Sequence, residues 1–159
     1  MPPALDRFDR AILAILQKDN TTPQRVIGER VNLSAPAVQR RIKKMQEMDV
    51  ITSNVAVVNH ALVGQAITLF VEVELLSETA RDIDEAKKHF LECPNVQQCY
   101  YVTGDVDFVL VMLVHSMEAY EDLTRELFFG NSNVKKFRTL VAMDRVKAGM
   151  LVSLDRFPA

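Results

Sequence analysis

Residues 32–45 read Asn-Leu-Ser-Ala-Pro-Ala-Val-Gln-Arg-Arg-Ile-Lys-Lys-Met, a tight turn feeding a basic helix. At about 3.6 residues per turn, Val38, Ile42 and Met45 fall in one stripe, while Gln39, Arg40, Lys43 and Lys44 point away from it. One face belongs to a core and the other is charged. Ser34 is placed to cap the helix, and Pro36 sits in the first turn, where its missing N–H has no intrahelical partner to lose. Ala35 and Ala37 keep the helix start slim. A slim, basic helix start fits a DNA major groove.

The preceding residues complete a motif. Thr22 is expected to cap a helix with Pro23 at its first position, Val26, Ile27 and Val31 face inward, and Asn32 offers a left-handed stop. Two short helices joined by a tight turn make a helix-turn-helix. A plain helical hairpin with a solvated basic face is the competing reading of the same pattern. Before it, Asp6 can cap a helix whose Leu5, Phe8, Ile12, Ile15 and Leu16 recur at helical spacing, with Asp9 favouring the positive end of its dipole. This helix runs to about Lys18 and completes a three-helix core.

Charge is segregated along the chain. Residues 1–52 carry nine Lys/Arg against six Asp/Glu, or +3, and residues 53–159 carry ten against fifteen, or −5, which together give the net −2. The positive excess sits with the basic helix, as a nucleic-acid footprint requires. No stretch approaches the roughly 18 apolar residues of a membrane span, and the N-terminus lacks the basic and apolar regions of a signal peptide. A cytoplasmic protein with no membrane partner is expected. Cys93 and Cys99 match neither redox nor common zinc spacing and read as buried free thiols. With His60, His89 and His115 isolated from one another, no metal is assigned.

Asn54–Asn59 is β-branched enough for a strand serving as wing and connector. After Gly64 the period becomes alternating: a strand from Ile67 to Leu75, a helix capped by Ser77 or Thr79 and running to about Leu91, and strands Val96–Thr103 and Phe108–Val114. A helix from Met117 to about Phe129 and a strand from Val134 to Met143 follow, and Met150–Leu154 is a candidate edge strand. The order βαββαβ is the ferredoxin-like unit. An α+β protein is expected, with a winged helix-turn-helix in 1–52, a strand or linker in 53–64 and a ferredoxin-like domain in 65–159. Phe108–Val114 is apolar at every position, although helices cover only one face of such a sheet. A second copy of the sheet in a two-fold dimer would cover the other.

This order of parts resembles the Lrp/AsnC, or feast/famine, family of transcription regulators. The residues that carry the resemblance are Leu5-Asp6 with Asp9, Leu33-Ser34 with Val38, Arg41 and Ile42, Val50-Ile51, and Gly104-Asp105-Val106-Asp107-Phe108. The run Arg138–Met143 followed by Val146-Lys147 is most similar to the leucine-responsive branch. The resemblance implies a DNA-binding regulator of palindromic-type operators, dimeric and assembling further to an octamer or similar ring. It also implies an amino-acid effector, leucine or another small amino acid, bound between dimers, and no other cofactor. By position it implies effector roles for Gly104, Asp105, Val106, Asp107, Met117, Thr139, Leu140, Val141 and Ala142. Backbone N–H groups of the Gly-containing turn could hold an α-carboxylate, and Asp105 or Asp107 an α-ammonium. Without the resemblance, the two aspartates read as ordinary turn residues.

On the basic helix, Gln39, Arg40 and Lys43 are assigned to base edges or the groove, Arg41 and Lys44 to phosphates, and Ser34 to a phosphate as well as the cap. No catalytic constellation accompanies them, so an enzyme is not expected. An effector-independent architectural DNA-binding protein is the alternative, and a small enzyme built on the ferredoxin-like domain is the remote one.

Overall fold

The computed structural model describes residues 4–154. The ends of the expected domain spans, and Met1-Pro2-Pro3 of the stretch read for a signal peptide, lie outside them. The chain forms two compact units: one holds residues up to Ala56 together with those from Lys147 onward, the other Val57–Val146.

In the first unit, α1 (Arg7–Leu16), α2 (Gln24–Val31) and α3 (Ala35–Glu47) enclose Ile12, Leu13, Ile27, Val31, Val38 and Met45. Asp6 and Asp9 form a reciprocal capping box at the start of α1, each carboxylate accepting from the other residue's backbone N–H. Pro23, not Thr22, is the N-cap of α2; it lies just outside the helix and no side chain caps there. Asn32 (φ 57°) is left-handed as expected, and so is Asp49 (φ 55°) after α3, where a short polar side chain tolerates the conformation. The α2–α3 turn needs Gly28, because a Cβ there would lie 2.4 Å from the backbone oxygen of Leu33.

Two sequence expectations change here. The Asn54–Asn59 segment forms no strand, so no wing is present; Val57 is 94% exposed, and among the described residues no strand lies beside it to pair its backbone. Met150–Leu154 joins no sheet edge. It belongs to the first unit, where the Gln17 side-chain amide donates to the Val152 carbonyl (3.2 Å) and accepts from its N–H (2.7 Å), and Leu154 packs on the helical core. A side-chain amide thus makes the pair of bonds that a neighbouring strand would have made, and the described residues from Lys147 on group with the helical unit.

The second unit is a four-stranded antiparallel sheet with helices on one face. Its elements are β1 (Ile67–Leu75), α4 (Ala80–Glu92), β2 (Val96–Tyr101), β3 (Phe108–Val114), α5 (Met117–Thr124), a π-helical turn (Arg125–Phe129) and β4 (Val134–Val141). The sheet order β2-β3-β1-β4 is the expected ferredoxin-like arrangement. Alternation sends Leu69, Val71, Val73 and Leu75 of β1, with Phe108, Leu110, Met112 and Val114 of β3, toward the helices. There Phe90, Phe108, Phe128 and Phe137 make a chain of ring contacts with centroids 4.5–6.3 Å apart. Cys93 and Cys99 are free thiols as expected but half-buried, Cys99 raised in pKa by desolvation.

The other face of the sheet is open. Val109, Val111 and Leu113 of β3 are only half-buried there, beside Phe70 of β1 and, across from it, Leu140 of β4. Toward the other end of the β1–β4 pair the face is polar, with Arg138 bonded to Glu72 (2.7 Å).

Candidate nucleic-acid interface and ligand residues

The exposed face of α3 follows from its inward stripe. With Val38 and Met45 buried, Gln39, Arg40, Lys43 and Lys44 are all exposed. Lys43 is 3.7 Å from Glu47 one turn on, whereas among the described residues no ion pair engages Arg40 or Lys44. Ser34 caps the helix, its Oγ accepting from the Ala37 N–H at 3.4 Å. The first turn of the helix carries no acidic residue, and the basic residues begin at Arg40.

Arg41 departs from its assignment. Rather than standing free for a phosphate, its Nη1 donates to Asp6 (2.9 Å) and Asp9 (2.7 Å), and its side chain is 28% exposed. Hydrogen bonding to Asp9 leads the causes that raise its pKa. Asp6 is held below the usual carboxylate range chiefly by the Asp9 N–H, with Arg41 contributing. A helical wheel places Arg41 on the flank; only the packing of α1 against α3 shows two carboxylates waiting there.

The residues matched to an effector site fall into two groups. Gly104 (φ +129°), Asp105, Val106 and Asp107 form the turn between β2 and β3. Asp107 holds this turn to the sheet: its carboxylate accepts from the Leu75 N–H (2.7 Å), its N–H donates to Val73 and its carbonyl accepts from Val102. Asp107 is half-buried, while Asp105 is exposed. Open space surrounds the position where Gly104 lacks a Cβ, so its role is the positive φ rather than a close approach.

Met117 lies at the opposite end of the sheet, just after Val114, which pairs with Ile67 at the start of β1, whereas the Gly104–Asp107 turn adjoins the other end of β1. Thr139 sits mid-sheet, paired with Val71, and Leu140–Ala142 run from there toward the Met117 end. The length of β3, seven residues or about 20 Å, separates the turn from Met117. One copy of the chain therefore does not bring those two together. Met117 is 47% exposed, Leu140 47% and Val141 51%, and the Ala142 N–H donates to Thr68. Thr139 is tied instead to buried Tyr120, hydroxyl to hydroxyl at 2.5 Å. That bond, like the need for Gly28, had no clear sequence signature, though a glycine inside a helical repeat is a hint of close packing.

Among the described residues, no group of His, Cys, Asp or Glu is arranged to hold a metal ion, and no helix is long and apolar enough to cross a membrane.

Known proteins share this arrangement. Residues 5–46 match the AsnC-type helix-turn-helix domain, and residues 68–152 match the Lrp/AsnC ligand binding domain. An uncharacterized HTH-type transcriptional regulator of Sinorhizobium fredii is 40% identical over 151 residues, covering 95% of this chain and 89% of its own. The crystal structure of an AsnC family transcriptional regulator from Agrobacterium tumefaciens superposes with a TM-score of 0.90 at 30% identity, covering 95% of this chain and 98% of that one. A transcriptional regulator from Neisseria meningitidis, solved as an L-Met complex, shares the fold with a TM-score of 0.90 at 20% identity, over 96% and 98% of the two chains. With both parts matched in order, the chain belongs to the Lrp/AsnC family of transcriptional regulators and carries that family's DNA-binding helix-turn-helix ahead of its ligand-binding domain.

Proposed function

We propose that this regulator reads specific duplex sequences with α3 and responds to a small amino acid, and that it works in the cytoplasm and is not an enzyme. The observation that carries the reading is the exposed cationic face of α3, where among the described residues no ion pair engages Arg40 or Lys44 and Gln39 supplies a neutral donor and acceptor. Gln39, Arg40 and Lys43 are the base-reading residues, and Lys44 and Ser34 hold the backbone.

The amino-acid response is supported by the ligand-binding domain match and by the L-Met complex of the Neisseria relative. Leucine and methionine are the first candidates, both unbranched at Cβ and apolar. Because the Gly104–Asp107 turn and Met117 adjoin opposite ends of β3, with Thr139–Ala142 running from mid-sheet toward the Met117 end, the effector site is built between copies, one turn facing another copy's strand ends. The open sheet face supports a two-fold dimer, since Val109, Val111, Phe70 and Leu140 form an apolar surface that a second sheet would cover. Such dimers assemble further, to an octamer, and present paired α3 helices to a palindromic operator.

A thermal-shift screen against the twenty amino acids, with mass by light scattering, tests the reading. A ligand of the folded state raises the transition temperature. A hit lost in Asp105→Ala, a variant of an exposed residue, places the ammonium at the turn. If no amino acid shifts the transition while duplex DNA still does, the chain is the effector-independent, architectural DNA-binding protein.

A further inference from the structure

The side chain between two reading residues does something different from both. Arg41 follows Arg40 in sequence, yet two hydrogens of its Nη1 go to the carboxylates of Asp6 and Asp9 and its guanidinium stands 5.4 Å from the Phe8 ring centre. Those carboxylates are themselves fixed, since Asp6 also accepts from the Phe8 and Asp9 N–H groups and Asp9 accepts from the Asp6 N–H. The cluster joins the first turn of α1 to the middle of α3 across 32 to 35 residues of chain. Its formal charge, two carboxylates against one guanidinium, is negative, which is repulsive to a phosphate.

We infer that Arg41 is a positioning residue for DNA recognition, a clasp that fixes the rotation of α3 about its own axis and so aims Gln39, Arg40 and Lys43. The inward stripe of Val38, Ile42 and Met45 holds α3 against its neighbours, but apolar contact is non-directional and tolerates small rotations. Two hydrogen bonds to a pre-fixed acceptor pair do not. One rotation of α3 displaces every base-reading side chain together, so the clasp acts on sequence discrimination more than on the general attraction of cations to DNA. The inference rests on α3 as the reading helix.

The test uses the full chain, a duplex that the wild-type protein selects from a randomised pool, and a mixed-sequence duplex of equal length, with affinities measured over a salt series. Arg41→Gln is expected to weaken the selected duplex roughly tenfold, with the mixed duplex and the salt slope nearly unchanged. Asp9→Asn, which keeps an acceptor for the capping box, is expected to give the same loss, and the double variant to be no worse than either single one. A phosphate contact predicts the opposite sign for Asp9→Asn, since releasing the cation would tighten binding, and it predicts a salt slope lower by about one for Arg41→Gln. Either result overturns the clasp. So does a lowered melting temperature with an intact ratio of selected to mixed affinity, which marks a role in stability alone. Should Arg41→Gln not stay folded, Arg41→Lys decides: its single rotatable ammonium should leave the ratio between wild type and the Asp9→Asn variant, and a wild-type ratio contradicts the inference. If the wild type enriches no duplex, the reading of α3 fails, and this inference with it.

Discussion

On α3, Arg41 turns to Asp6 and Asp9, while its neighbours Arg40 and Lys44 stay exposed and, among the described residues, outside any ion pair. In the β2–β3 turn, Asp107 closes the loop on Leu75, and of the two aspartates Asp105 is the exposed one. The helical unit separates the residues that hold its shape from those that face outward, and its outward set is complete in one chain. The sheet unit uses one of its two candidate ligand carboxylates as a fastener and spreads its other candidates from mid-sheet to the far end of β3. A helix-turn-helix meets a ligand as large as itself and can offer a whole face. A small ligand needs convergent groups, which is why the proposed effector site draws on another copy.

The largest break in this comparison comes from the sheet core. Phe90 is fully buried between Phe108 and Phe128, so Phe90→Ala should cost about 3–5 kcal/mol. Differential scanning calorimetry would show whether the two units then melt apart; a single unshifted transition would mean that the aromatic chain is not the core of the second unit. Gly28→Ala should cost roughly 1–3 kcal/mol in the helical unit, because its Cβ meets backbone that cannot swing aside. Urea melts monitored by far-UV circular dichroism would measure it, and an unchanged midpoint would remove the close approach as the reason for glycine.

Asp107→Ala sharpens the contrast at about 1–3 kcal/mol, the cost of leaving the N–H of buried Leu75 without its charged acceptor. This loss should appear without any amino acid present, so Asp105 rather than Asp107 is the cleaner position for testing an effector. A variant as stable as the wild type would return Asp107 to the ligand. On the open face Arg138→Ala should change stability by less than about 0.5 kcal/mol, since its bridge to Glu72 is an exposed one.

The smallest effect concerns acid. Asp6 has its pKa lowered from 3.8 by the Asp9 N–H, with Arg41 adding to it. A carboxylate with a depressed folded-state pKa binds fewer protons when folded, so its contribution is complete above 3.8 and is lost as pH falls through the lower folded value. Asp6→Asn should flatten that part of the stability–pH curve below 3.8 and leave the curve near neutrality parallel to the wild type, as acid titrations followed by circular dichroism would record.

Much of this architecture was legible in residue order because its signals are local. Ser34 and Asp6 cap helices through groups two or three residues away, the short polar side chains of Asn32 and Asp49 tolerate a left-handed backbone after a helix, and the alternation in Ile67–Leu75 and Phe108–Val114 sorts each strand into faces. The apolar stripe of residues 38–45 likewise fixes which side of α3 points outward. What a periodicity cannot carry is a partner distant along the chain. The β-branched run at Asn54–Asn59 has strand propensity but, among the described residues, no strand to pair with, and Met150–Leu154 finds the Gln17 amide instead of a sheet edge.

The sequence alone determined a reading helix with a basic outer face and a βαββαβ unit behind it, because caps, turns and hydrophobic periods act within a few residues. Tertiary structure decided that Arg41 faces two carboxylates more than thirty residues away, that Asp107 fastens β1, and that the Gly104–Asp107 turn and Met117 adjoin opposite ends of β3. Charge and hydrogen-bonding capacity belong to a residue, but whether they remain available to a ligand depends on what folding brings within about 3 Å of them.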